Sequence, residues 1–296
     1  MKTWLAFINL TKPRLTSLSV LSGITGFVLV GLDPIFTLRF LWTLLGICLL
    51  GGGANSLNML MERDFDSMMD RTKKRPLPSK TLSPQQVLAY GVTISACGLY
   101  VLSALVNPLA GWLGLMTLVS YLLVYTPLKR KTIFNTLVGA VPGALPPFIG
   151  YAAAAGHLNI DILFFGAILF IWQMPHFFAL SWIYREDYRR AGYNMLCVVD
   201  DKEGSMTARQ TNMFVLYLLP ISLAPVYYGY VDSFYLIGAL VAGLGFLACS
   251  VWLFRGVNDK SARRVFRYSI VYLSAIMFFM IGDKYMNVIL ESLLGV

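Results

Sequence analysis

The chain has 296 residues, of which 57% are hydrophobic and only 13% are charged. A soluble globular domain carries about 25% charged residues, so this composition excludes a soluble domain and indicates a polytopic membrane protein. The net charge of +9 does not indicate nucleic-acid binding, because the basic residues fall in short segments between apolar runs. The four cysteines show no CxxC spacing, which argues against a disulfide framework and a zinc site.

Apolar runs of about 20 residues recur along the chain, the length that crosses about 30 Å of hydrocarbon. We therefore predict an all-α membrane protein, a bundle of about nine transmembrane helices in a single domain over residues 1–296. The approximate centres of the predicted helices are Gly23, Leu49, Ser95, Leu118, Ala144, Ile171, Leu219, Leu244 and Met277.

The basic residues are strongly biased toward one side of this bundle. Of the 24 Lys and Arg residues, only Arg39 and Lys284 fall on the other side. Basic residues mark cytoplasmic loops, so an odd number of spans predicts a cytoplasmic N-terminus and an external C-terminus. We expect a multi-pass protein of the inner (cytoplasmic) membrane with its polar segments at the cytoplasmic rim.

An acidic stripe follows the second apolar run. Asn58, Glu62, Asp66 and Asp70 recur at a spacing of four, which places them on one slowly drifting face if the helix continues. Three acids on one face repel one another unless a cation lies among them, and their oxygen atoms suit Mg²⁺. The other interpretation is a solvated loop edge that merely ends a membrane helix.

Basic residues follow this stripe directly and would complete a site for a diphosphate. Arg and Lys side chains bind phosphate oxygens, and the metal takes part of the same charge. A diphosphate head at the cytoplasmic rim would leave an isoprenoid tail between the apolar helices. The basic residues that follow the stripe are Arg71, Lys73, Lys74 and Arg75.

A second polar segment spans residues 172–196. His176 lies inside the sixth apolar run, where polar groups are costly and usually face the interior, so it is either a substrate contact or a hydrogen-bonded packing residue. Arg185, Glu186 and Asp187 follow at the edge of the membrane. The two acids form either a second metal–phosphate site or a surface charge pair.

A third basic element comprises Tyr125, Lys129 and Arg130. It binds the same anion or serves only as an anchor at the cytoplasmic edge. Aromatic faces stabilise cations, so aromatic side chains near these segments would shelter an allylic cation formed when diphosphate leaves. Ordinary core packing is the alternative for these side chains, which are Tyr121, Tyr125, Trp172, Phe177 and Phe178.

Four further segments are specific enough to indicate a family. They are TKPRL at 11–15, DRTKKRPLPS at 70–79, YTPLKRKTIFNTLVGAVPGALPPFIGY at 125–151 and WQMPHFFALSWIYREDYRRAGYNML at 172–196. With the acidic stripe, they resemble the intramembrane aromatic prenyltransferases of the UbiA type, and within these the heme-modifying branch. The chain departs from the wider family in two places: Glu62 replaces a more usual Asp, and the second acidic motif keeps only Glu186 and Asp187.

The resemblance implies farnesyl diphosphate and heme B as substrates, Mg²⁺ as cofactor and the hydroxyethylfarnesyl group of heme O as product, for terminal oxidases. It leaves a heme A synthase or a terminal oxidase assembly open as a protein partner, and leaves open whether His176 ligates the heme iron. The implied catalytic residues are Asn58, Asp66, Arg71, Lys129 and Arg185. The implied substrate-binding residues are Lys74, Arg75, Tyr125, Arg130, His176 and Asp187. The implied metal ligands are Asn58, Glu62, Asp66, Asp70 and Glu186.

Two other functions fit parts of the pattern. The same fold with another acceptor, such as a benzoate, a naphthoate or a chlorophyllide, would keep the metal–diphosphate half unchanged. A transporter would show polar residues near the midplane of several helices and two related halves. Nearly all charged residues here lie at one rim, which favours catalysis at that rim.

Overall fold

The computed structural model describes residues 3–31, 37–200 and 203–294, with side chains described through residue 286. In these residues every regular element is helical, which confirms the all-α prediction. In chain order the helices are α1 (Thr3–Leu10), α2 (Pro13–Val28), α3 (Leu38–Met61), α4 (Arg63–Asp66), α5 (Pro84–Val106), α6 (Pro108–Leu128), α7 (Asn135–Ala144), α8 (Pro146–Ala155), α9 (Ile160–Ile183), α10 (Arg185–Arg190), α11 (Leu196–Val199), α12 (Ser205–Tyr227), α13 (Ser233–Arg255) and α14 (Asp259–Leu294).

Seven helical segments in the described part of the chain are long and apolar enough to cross a membrane. They are α3, α5, α6, the α7–α8 pair, α9, α13 and α14. The two remaining predicted spans correspond to α2, which has only 16 residues, and to α12, which carries Arg209 and two internal prolines. The protein is therefore a multi-pass membrane protein, and the count of nine stays a prediction.

Local capping interactions fix where the helices α5 and α6 begin. Ser83 and Gln86 form a reciprocal capping box, with Pro84 in the first helical turn of α5. The Asn107 side chain accepts a hydrogen bond from the backbone N–H of Ala110 at the start of α6. Both residues satisfy N–H groups that no helical partner reaches, so the short turns before these helices are encoded locally.

The α7–α8 segment is broken at Leu145, just before two prolines, because proline lacks an N–H and its ring crowds the preceding turn. Here α8 packs against α2 backbone to backbone. A Cβ atom on Gly26 would lie 2.0 Å from the carbonyl oxygen of Pro147, and one on Gly150 would lie 1.9 Å from that of Gly23. Glycine is required for this close approach, as at many helix contacts in membranes.

The two largest apolar clusters of the described residues lie on either side of the interior of the bundle. The larger joins α9, α12, α13 and α14 around side chains such as Phe165, Tyr235 and Tyr272. The smaller joins α2, α3, α5, α6 and α8 around Phe27 and Leu50. Residues of both clusters line one cavity between them, so the site lies where the two halves of the bundle meet.

Candidate active site

A cavity of about 420 Å³ extends from the loops at one end of the bundle into its interior. Its mouth is polar, because the segments after α3, α6 and α9 end there. Its deeper wall is apolar and aromatic, with contributions from α2, α3, α6, α8, α9 and α14. The polar lining includes Lys12, Asn58, Glu62, Asp66, Arg71, Arg75, Lys129, Tyr188 and Tyr193, and the aromatic lining includes Tyr121, Tyr125, Trp172, Phe177 and Phe266.

The first three members of the acidic stripe line this cavity together. The N–H of Glu62 donates to the carbonyl oxygen of Asn58 at 3.0 Å, and the N–H of Asp66 donates to that of Glu62 at 2.8 Å. This helical spacing keeps the side chains on one face although α3 ends at Met61. Asn58, Glu62 and Asp66 are 1%, 6% and 1% exposed.

Asp70, the fourth member, departs from the stripe. The chain turns after α4, and the Asp70 side chain is 59% exposed, 2.6 Å from both Lys73 Nζ and Arg190 Nη2. Two cations hold its pKa down, to about 2. It is absent from the cavity wall, so the expectation of four side chains on one face is wrong at this residue.

Each buried member of the stripe contacts one basic side chain. Lys12 Nζ donates to Asn58 Oδ1 at 3.0 Å, and Lys129 Nζ donates to Glu62 Oε1 at 2.6 Å. Arg75 Nη1 donates to both carboxylate oxygens of Asp66, at 2.8 and 2.7 Å. The Asn58 amide is fixed from its other side, because its Nδ2 donates to Thr126 Oγ1 at 3.1 Å. The oxygen atom of the amide is thereby turned toward the basic residues.

The pKa shifts at the mouth show opposing effects of burial and charge. Burial alone would raise the pKa of Glu62, but Lys129, Lys12 and Arg75 outweigh it and lower that pKa. For Asp66 burial prevails over Arg75, and its pKa is raised. Burial and the nearby Arg75 lower the pKa of Lys12 to about 7. The mouth therefore concentrates charges whose ionisation depends on their neighbours.

Asp187 organises the first polar loop from outside the cavity. Its carboxylate accepts hydrogen bonds from the backbone N–H groups of Asp70 and Arg71, at 3.0 and 3.3 Å, and also contacts Arg190. Arg71 lines the cavity and donates to Tyr188 Oη at 2.8 Å. The carboxylate oxygens of Asp187 thus accept hydrogen bonds from the protein backbone. Asp187 therefore has a positioning role, which differs from the substrate contact expected of it.

Glu186 and Arg185 lie away from the cavity lining. Glu186 is 66% exposed and pairs with Arg189 one helical turn later, at 2.7 Å. Arg185 donates to the carbonyl oxygen of Trp182 and to Asp259, both at 2.8 Å. These positions do not fit the expected metal ligand at Glu186 or the expected catalytic group at Arg185, since Glu186 points outward and Arg185 lies against Trp182 and Asp259.

Of the remaining predicted substrate contacts, Tyr125 lines the cavity, whereas Lys74 and Arg130 do not. Tyr125 stacks on Tyr121 with 5.7 Å between ring centroids, and Lys129 lies 4.7 Å from the centre of the Tyr125 ring. Lys74 is exposed. Arg130 covers the ring of Phe65 at 4.2 Å, so its guanidinium is used in packing.

Four of the five aromatic residues predicted to shelter the cation line the cavity. Phe178 does not line the cavity, since it packs against Phe214 elsewhere.

His176 lines the deeper part of the cavity between two aromatic rings. Its ring lies 4.8 Å from those of Trp172 and Phe266, and its Nδ1 lies 2.7 Å from Ser269 Oγ. Ser269 has one hydroxyl proton, which it donates to the carbonyl oxygen of Phe266 at 2.7 Å. Nδ1 is then the donor to Ser269, and this tautomer leaves the lone pair on Nε2 free to accept a proton or a metal.

The chain resembles known proteins over most of its length. Residues 19–280 match the model of the UbiA prenyltransferase family. This chain belongs to the UbiA prenyltransferase family. A protoheme IX farnesyltransferase from Solibacter usitatus is 44% identical over 287 residues, covering 94% of this chain and 98% of that protein. One from Salinibacter ruber is 39% identical over 280 residues, covering 95% and 99%.

Solved structures of UbiA proteins share the fold at low sequence identity. An apo UbiA homologue from Aeropyrum pernix K1 matches with a TM-score of 0.72 and 20% identity, covering 90% of this chain and 98% of that one. A UbiA homologue from Archaeoglobus fulgidus bound to DMAPP and Mg²⁺ matches with a TM-score of 0.66 and 16% identity, covering 93% and 99%. The bundle described above is therefore the UbiA fold.

The donor set at the mouth fits Mg²⁺ that is shared with a substrate. The described residues contain no group of three or more Asp, Glu, His or Cys side chains able to hold a metal by themselves. Two carboxylates, Glu62 and Asp66, and the amide oxygen of Asn58 are hard oxygen donors. Mg²⁺ in proteins is usually held by one or two carboxylates together with substrate phosphates, so this small set is sufficient.

Several residues of the UbiA cavity were missed by the sequence reasoning. Lys12 lies inside the quoted TKPRL segment, but nothing in that segment shows that it reaches Asn58. Tyr188, Tyr193 and Phe266 have no distinguishing local pattern and enter the cavity only through the packing of distant segments. Ser269 was missed for the same reason, because its contact with His176 joins α9 to α14 across 93 positions of the chain.

Proposed function

We propose that this protein transfers the farnesyl group of farnesyl diphosphate to a vinyl group of heme B (protoheme IX), giving the hydroxyethylfarnesyl group of heme O. The observation that carries the proposal is one cavity that joins a charged mouth to an aromatic and apolar interior. A diphosphate needs the first part, and a farnesyl chain and a porphyrin need the second. The relatives named protoheme IX farnesyltransferase support this choice of substrates.

Departure of the diphosphate takes place at the mouth. Asn58, Glu62 and Asp66 would hold Mg²⁺, which when bound supplies positive charge against the negative charge of the leaving group. Lys12, Arg71, Arg75 and Lys129 line the same wall and would bind phosphate oxygens. Several of these cations contact stripe oxygens directly, so binding of the diphosphate gives them a second set of acceptors.

Carbon–carbon bond formation takes place below the mouth. The C–O bond of farnesyl diphosphate breaks with its electron pair on the diphosphate, leaving an allylic cation that faces Tyr121, Tyr125 and Trp172. The terminal carbon of the heme vinyl group attacks this cation. Water then adds to the resulting porphyrin-stabilised cation and loses a proton, giving the hydroxyl group.

Heme orientation is the proposed task of His176. Its free Nε2 and its position between two rings suit a contact with the iron or the porphyrin face of the heme substrate. Hydrogen bonding of Nδ1 to Ser269 fixes the ring, as the outer partner of a metal-bound histidine usually does. Asp187 acts indirectly by fixing the backbone of Asp70 and Arg71, and Arg190 supports it by contacting the side chains of Asp70 and Asp187.

Orientation in the membrane belongs to the same proposal. We propose nine spans in a single domain of the inner membrane, with α2 and α12 completing the seven apolar segments, the N-terminus in the cytoplasm and the cavity mouth at the cytoplasmic rim. A reporter enzyme fused after Val296 and active only outside the cytoplasm tests this. Absence of reporter activity from a fusion that is expressed and inserted in the membrane would contradict the nine-span arrangement.

The reaction is tested directly with isolated membranes. Membranes containing the protein are incubated with heme B, farnesyl diphosphate and Mg²⁺, and extracted heme is analysed by mass spectrometry. We expect a mass increase that corresponds to one farnesyl group plus one hydroxyl group, and no product when EDTA replaces Mg²⁺. Prenylation of a benzoate or naphthoate with no change in heme would overturn the choice of acceptor but retain a prenyltransferase.

A further inference from the structure

A second, separate group of basic side chains lies at the start of α14. Lys260, Arg263, Arg264 and Arg267 are spaced by three and four residues, which places them on one helical face. Together with Asp259, Tyr268 and Val271 they line a groove of about 630 Å³. None of the four lines the main cavity, so the farnesyl-transfer proposal does not account for them.

These positive charges lack acidic partners in the described part of the chain. The acid in the groove, Asp259, is paired with Arg185 at 2.8 Å, and no ion pair of the described residues involves the other four side chains. Arg264 instead lies over the ring of Trp252, 3.8 Å from its centre. At the main cavity, by contrast, Arg75 and Lys129 pair with buried carboxylates. Four cations in one groove attract an anion strongly.

The groove becomes apolar along the membrane-spanning part of α14. Val271, which lines the groove, is 58% exposed, and Trp252, which lies against Arg264, is 54% exposed. From Lys260 to Val271 the helix rises about 16 Å, so the charged end and the apolar end are separated by roughly half the hydrocarbon thickness. Phe266 and Ser269, on the other face of α14, contact His176, so the groove faces away from the reaction cavity.

We propose that this groove binds an anionic phospholipid, with its phosphate among the four basic side chains and an acyl chain along Val271 and Trp252. Clusters of Lys and Arg at the membrane end of a helix attract anionic headgroups. Inorganic phosphate shares the headgroup chemistry, but only a lipid also uses the exposed apolar side chains.

The test compares lipids and matched variants. Purified full-length protein in detergent is titrated with dioleoylphosphatidylglycerol or dioleoylphosphatidylcholine, and bound lipid is measured by native mass spectrometry. We expect clear preference for phosphatidylglycerol, and a loss of about thirtyfold in its affinity for the Arg263→Gln/Arg267→Gln variant. The Lys80→Gln/Lys131→Gln variant removes two exposed cations elsewhere and should bind as the wild type does.

Three results would overturn the proposal: equal binding of the two lipids, equal losses in the two double variants, or inorganic phosphate binding as tightly as phosphatidylglycerol in calorimetric titration. Because Arg263 and Arg267 are both exposed, the variant should fold normally, which its thermal unfolding in detergent checks. If it does not fold, the single Arg267→Gln variant is measured in its place, with an expected loss of about fivefold.

Discussion

Lys129 and Glu62 form an ion pair at the mouth of the cavity, 2.6 Å between Nζ and Oε1, although 67 positions separate them in the chain. Both side chains are largely buried, with exposures of 16% and 8%. Lys129 also lies over the ring of Tyr125. One lysine therefore connects the proposed metal-binding stripe to the aromatic wall of the cavity.

Substitutions at Lys129 and Glu62 should have strongly coupled effects on the free energy of unfolding. Lys129→Met leaves the buried Glu62 carboxylate without its partner and is expected to lower the free energy of unfolding by about 3 kcal/mol. The Lys129→Met/Glu62→Gln double variant removes both charges and should recover most of that loss. Unfolding of the purified proteins in detergent measures both changes. A double variant no more stable than the single one would contradict the coupling.

Asp66→Asn should lower farnesyl transfer by about a hundredfold or more, because it removes a charged oxygen donor from the stripe and from the bidentate contact with Arg75. Membrane insertion should be unaffected. The matched control is Asp64→Asn on the same short helix, whose side chain is 74% exposed. Turnover is followed by mass analysis of heme. Equal rates in the two variants would contradict the catalytic role of the stripe and support its interpretation as a solvated loop edge.

Variants of Asp187 and Glu186 distinguish a residue that positions the first polar loop from a residue that lies only on the surface. Asp187→Ala leaves the backbone N–H groups of Asp70 and Arg71 without their acceptor, so we expect the KM for farnesyl diphosphate to rise about tenfold with a smaller change in kcat. Asp187→Asn keeps one acceptor oxygen and should recover part of the loss. Glu186→Gln should behave as the wild type, since Glu186 is exposed and pairs with Arg189 one helical turn away. A large defect in Glu186→Gln would instead support a second metal site.

His176→Ala should change the absorption spectrum of bound heme and weaken heme binding, because it removes the only nitrogen ligand proposed for the iron. Ser269→Ala keeps the imidazole but frees Nδ1, so a smaller spectral shift is expected with heme still bound. His157→Ala is the control, since His157 is exposed and contacts the carbonyl oxygen of Ala155. Unchanged heme affinity and spectrum in His176→Ala would exclude the ligand role.

Local periodicity predicted the part of the site that lies on the end of α3 and on the short α4 that follows it. Asn58, Glu62 and Asp66 share a face because a step of four residues returns to the same side of a helix. The same rule was wrong at Asp70, because the chain turns after α4 and periodicity gives no warning of where a helix stops. Glu186 and Asp187 are adjacent in sequence, yet α10 turns one outward and the other toward the first loop.

The sequence by itself determined the membrane-helical class and the first three members of the acidic stripe, because apolar length and residue spacing are local properties. Tertiary structure alone decided the contacts that join charged residues of distant segments. Lys12 meets Asn58 across 46 positions, and Asp187 meets Asp70 across 117. Such contacts depend on how whole helices pack, and packing is set by shape and close approach between distant segments, which no spacing along the chain records.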